Sequence, residues 1–103
     1  MYIAMNHFNV NPDRGSEFED MWRARESQLQ SVPGFMQFAL LKGETAGDYI
    51  SHTTWESKDA FQGWAQSDAF RAAHSGGGPP EGVVLGHPQA NFYEAVIVES
   101  RSG

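Results

Sequence analysis

Apolar and polar residues alternate over the first ten positions, MYIAMNHFNV. Tyr2, Ala4, Asn6, Phe8 and Val10 share one parity; Ile3, Met5, His7 and Asn9 share the other, which predicts a β-strand. NPDRGS interrupts it with Asn, Pro and Gly. The period then changes. Phe18, Met21, Trp22, Arg25, Leu29 and Val32 recur at spacings of three and four, predicting a helix from an N-cap at Ser16 to about residue 31. Glu17, Glu19 and Asp20 suit the positive end of its dipole. Arg25 is the odd member of an otherwise apolar stripe.

PGF at 33–35 ends the helix and opens a second strand, FMQFALLKG. ETAGD is a turn and YISHTTWE a third strand, so the pair reads as a hairpin. Ser57 is expected to cap a second helix with Phe61, Trp64 and Ala65 on one face. Ser67 and Asp68 signal a break and a fresh cap, after which Phe70, Ala73 and His74 fall together. SGGGPPEGVVLGHP forms a loop of about fourteen residues, a length usually found in functional or disordered segments. ANFYEAVIVE reads as the last strand.

The order β-α-β-β-α-β is the ferredoxin-like plan, an α+β fold with helices on one face of an antiparallel sheet. A chain of 103 residues suits one domain, expected to span residues 1–103. The second and fourth strands carry apolar residues at both parities. The helix-free face should therefore bury against a second copy, predicting a homodimer and a dimeric α+β barrel.

Seven basic against thirteen acidic residues give a formal charge of -6. That balance disfavours nucleic acid and anionic membranes as partners, since both select a basic surface. Without cysteine there is no disulfide, thiolate metal site or Cys nucleophile. No secretory leader or membrane-length apolar run is visible, so a soluble, cytoplasmic protein is expected. No GxSxG or GxxxxGK[ST] occurs, which removes support for a hydrolase triad or a phosphate cradle.

The four histidines, at 7, 52, 74 and 87, form no HxH or HExxH pair, so a protein-only zinc site is not expected. One histidine can still serve an iron whose other ligands come from a porphyrin. His74 closes the apolar stripe at i+4 from Phe70, with a Gly and Pro run behind it. It can equally be a helix C-terminal histidine favouring the dipole. Asn6, mid-strand between Ala4 and Phe8, either bonds a neighbouring backbone group or points its amide into a pocket. Trp64 is either plain core or the wall of that pocket. Arg25 either snorkels along the helix or meets a ligand carboxylate.

The fold plan and TTWESKDAFQGWAQSDAFRAAHS resemble the antibiotic biosynthesis monooxygenase superfamily, and within it the IsdG-type heme-degrading monooxygenases. Asn6 on the first strand, Trp64 on the second helix and His74 after the next helical segment match that family in order and separation. PGF, WES and the SDxF before His74 fit as well, and the resemblance covers nearly the whole chain. It implies heme as cofactor and substrate, with His74 as the axial iron ligand. Asn6 would lie on the distal side, with Trp64 pressing on the porphyrin. Trp22, Arg25 and Phe70 would be further heme contacts. It also implies O2, an external electron donor and its unidentified reductase, a dimer, and release of iron as the ring opens. One departure concerns the propionates, since no Lys or Arg falls between residues 72 and 100. Glycine-run amides or Arg71 would have to serve there. Two alternatives stay open: a cofactor-free monooxygenase of the superfamily oxidising a polycyclic aromatic, and a non-catalytic heme-binding dimer.

Overall fold

The computed structural model describes residues 1–25, 27–74 and 79–101, with residues 72–74 described through the backbone alone. Its elements are β1 (Tyr2–Asn9), α1 (Gly15–Ala24), β2 (Phe35–Lys42), β3 (Asp48–Trp55), α2 (Lys58–Ala65), α3 (Asp68–His74) and β4 (Gln89–Glu94). The strands form one sheet in the order β2-β3-β1-β4 with every neighbouring pair antiparallel, which is the expected ferredoxin-like arrangement.

Register fixes which residues share a face. Phe8 pairs with Tyr49, Asn6 with Ser51, Ala4 with Thr53 and Tyr2 with Trp55. Phe18 of α1 packs on both Phe8 and Tyr49, with ring centroids 5.3 and 5.0 Å apart. Phe61 of α2 packs on Tyr2 and Trp55 at 5.6 and 5.8 Å. Both helices therefore lie on the face of the even residues of β1, where Asn6 also belongs. Val10, Phe18, Tyr49 and Val83 form the buried cluster, with Trp22 and Leu40 packed against it.

Four readings of the chain need correction. The first helix stops at Ala24, because Arg25 is extended with φ -69° and ψ 143°; Leu29 is buried instead by a short 3-10 turn over Leu29–Ser31. Ser16 is not its cap. A 3-10 turn over Pro12–Arg14 leads into it, and the Asn11 side chain accepts from the Asp13 N–H at 3.0 Å. β4 ends at Glu94, leaving Val96, Ile97 and Val98 at 87%, 81% and 52% exposure. Finally, the later part of the long loop is pinned to the sheet. The Val10 and Val84 backbones pair, the Asn11 N–H donates to the Val83 carbonyl, and Val83 is fully buried. Residues 75–78 of that loop lie outside the described residues.

Candidate functional site

Asn6 sits on a central strand, on the face that carries the helices, and is nevertheless exposed. A residue in that position is exposed only where the helices leave a gap. α1 covers the Phe8–Tyr49 end of the sheet and α2 the Tyr2–Trp55 end. Between them lies the register row Leu40, Ser51, Asn6, Ala90, which we take as the floor of the candidate site.

The α2 wall is aromatic. Ser57 accepts from the Ala60 N–H at 3.1 Å, so the expected cap starts the helix in register. Trp64 then lies 5.4 Å from Trp55, 6.2 Å from Phe61 and 4.8 Å, edge-on, from Phe70. The break after α2 holds that geometry. The Ser67 hydroxyl donates to the Trp64 carbonyl at 2.6 Å and accepts from the Phe70 N–H at 3.1 Å. Helix α3 runs on from there to His74, whose side chain lies outside the described residues.

The α1 wall is Trp22, edge-on to Phe8 at 6.0 Å and stacked on Phe38 at 5.5 Å. Because the chain turns extended at Arg25, its guanidinium folds back over both rings, 4.8 Å from Trp22 and 4.5 Å from Phe38. Burial pushes that guanidinium below its usual range. It nevertheless stays charged, and it has no carboxylate partner among the described residues. A groove of about 470 Å³ opens beside it, lined also by Leu29, Phe35 and Gln37. A second groove, of about 280 Å³, lies on the Glu19, Lys42 and Tyr49 side of Trp22. There the Tyr49 hydroxyl donates to Glu19 at 2.5 Å, and that bond holds the carboxyl below its ordinary range. The indole N–H groups of Trp22 and Trp55 are buried without an acceptor among the described residues.

Trp22 and Arg25 thus line one groove, Trp64 and Phe70 cluster with Trp55 and Phe61 on the α2 side, and Asn6 is exposed on the sheet between the two helices. Phe38 lines the groove with Trp22 and Ser51 stands opposite Asn6, although neither was singled out from the sequence. Parity should have found Phe38, but a bulge between Phe35 and Gln37 resets the alternation, so Phe35 and Phe38 both face the helices. Among the described residues no three His, Asp or Glu side chains cluster to hold a metal ion, and no helix is long and apolar enough to cross a membrane.

Comparison with known proteins bears on this site. The profile of the antibiotic biosynthesis monooxygenase family matches residues 1–76. The chain is similar to a heme-degrading monooxygenase from Bacillus thuringiensis (strain Al Hakam), at 30% identity over 95% of this chain and 92% of that protein. It is also similar to the solved structure of the heme-degrader MhuD from Mycobacterium tuberculosis with two hemes in its active site. Identity there is 29% and the TM-score 0.79, over 97% of this chain and 100% of that one. An arginine-to-serine mutant of MhuD with two manganese protoporphyrin IX per active site is likewise similar, at 27% identity and a TM-score of 0.79, over 98% and 100%.

Proposed function

Because this chain belongs to the antibiotic biosynthesis monooxygenase family, we propose that it is a heme-degrading monooxygenase working in the cleft between α1 and α2. The observation that supports this reading is the exposure of Asn6 at the middle of the helix-bearing sheet face, between aromatic clusters built on Trp22 and Trp64. Relatives named for heme degradation supply the substrate class.

The cleft suits a flat, apolar, dicarboxylic guest. Its walls are ring faces, which favour burial of a planar macrocycle. Arg25 is a partly buried cation lying on those rings without an acidic partner among the described residues, and a guest carboxylate would complete it. In this reading Arg25 would meet a propionate that residues 72–100, which carry no Lys or Arg, cannot. The buried Trp22 N–H adds an unused donor in the same wall.

In this reading His74 holds the iron through a neutral imidazole. Bound heme supplies both the iron that activates O2 and the porphyrin that is opened, with electrons from an external donor. Asn6 would offer its amide N–H to a ligand held in the site. Trp64, packed against Trp55 and edge-on to Phe70, would offer a supported ring face to the bound macrocycle. The apolar walls keep bulk water from that face. We further propose that the protein acts as a homodimer through the face of the sheet without helices.

The test is to titrate the protein with hemin and then add ascorbate in air. A bound Soret band that decays as a tetrapyrrole product absorbs is expected. Asn6→Ala should keep hemin bound while slowing the decay about tenfold, the range for losing a hydrogen bond to a charged group. A bound spectrum that persists under reductant would contradict the enzymatic reading.

A further inference from the structure

Ser51 lies on β3 at the helix-facing parity, between Tyr49, which touches Phe18, and Trp55, which touches Phe61. It is directly opposite Asn6 in the β1 register and opposite Leu40 in the β2 register. It is 8% exposed. A hydroxyl on the helix-facing side of a central strand is a polar group among aromatic neighbours, and it favours a hydrogen-bonding partner. Its neighbour Thr53 is satisfied, donating to the Ala4 carbonyl at 3.3 Å. Ser51 and Asn6 make no side-chain hydrogen bond to each other or to any other described residue. Two polar side chains without a hydrogen bond to a described residue, Asn6 exposed and Ser51 nearly buried, therefore stand abreast on the two middle strands. Directly opposed residues of an antiparallel pair have Cβ atoms about 4.5–5.5 Å apart, so both can reach one small guest.

We propose that Ser51 is a second ligand-binding residue of the cleft, its hydroxyl donating a hydrogen bond beside the Asn6 amide to a diatomic guest held at the iron. The assignment rests on the heme reading above. A hydroxyl donates and accepts through one freely rotating O–H, whereas the Asn6 amide donates from a fixed plane. Together they grip both the position and the tilt of a guest that either alone would hold at one point.

The experiment uses the ferric hemin-loaded protein, with cyanide as the probe of that position. Ser51→Ala should take up hemin with an unchanged Soret band but bind cyanide about three- to tenfold more weakly, the range for one lost hydrogen bond. Ser51→Thr keeps the hydroxyl and should stay within about twofold of the wild type. Equal cyanide affinity in wild type and Ser51→Ala overturns the role of Ser51 alone. So does an equal loss in Ser51→Ala and Ser51→Thr, which would mark a packing effect. Failure of the wild-type protein to take up hemin overturns the parent reading and this assignment with it.

Discussion

Tyr49 ties the first helix to the sheet through a single hydrogen bond. Its hydroxyl donates to Glu19 at 2.5 Å, and its ring packs 5.0 Å from Phe18. Burial first, then the Glu19 carboxylate, pushes the phenol up to about 12 from an ordinary 10. A folded-state value raised above the unfolded one means stability that is complete below pH 10 and lost as pH climbs from about 10 to about 12. The loss should be about 1 to 2 kcal/mol, since the hydroxyl borders an open groove where water screens part of the interaction. Urea unfolding at pH 9 and pH 12 should therefore show a larger decline for the wild type than for Tyr49→Phe, and parallel declines would sink the argument. Residues of this kind differ in how far the sequence discloses them. Asn6 and Trp64 stand out in the sequence because an amide in an apolar strand and a tryptophan on a helical stripe both break a local pattern. Ser51 does not stand out, because its place opposite Asn6 is set by register across more than forty residues of chain.

The elements were most legible where the signal is local. Alternation gave three of the strands within a residue or two, and Ser57 marked the start of α2. The signal failed where tertiary contacts decide. The stripe through Arg25, Leu29 and Val32 continues the helical period, yet the backbone leaves the helix at Arg25 and buries Leu29 by another route. That departure is what turns Arg25 back over Trp22. Val83 was missed as core because an apolar residue between glycines carries no period. The end of β4 was over-read for the opposite reason. Val96, Ile97 and Val98 have high strand propensity, but within one chain the ladder partners of β4 run out at Tyr2 opposite Glu94. Three exposed branched residues, together with a helix-free sheet face carrying Ile3, Met5 and Ile50, suit burial by a second copy. Ile97→Asp should then shift the protein towards monomer in sedimentation experiments without unfolding it. A dimer unaffected by that change would remove this segment from the interface.

At the scale of the molecule, the ferredoxin-like plan explains why the cleft exists at all. Two short helices cannot cover a four-stranded sheet. Helix α1 packs at the Phe8–Tyr49 end and α2 at the Tyr2–Trp55 end, and Asn6 stays exposed between them. Each wall is held by an aromatic cluster rather than by one residue. The most direct test is a hemin titration of wild type and His74→Ala side by side, followed at the Soret band from pH 8 to pH 5. A neutral imidazole must ligate iron, so wild-type affinity should fall as pH drops through about 6.5. His74→Ala should lack the histidine-ligated band at every pH. An unchanged band in the variant, or wild-type binding that stays level across that range, would contradict the account.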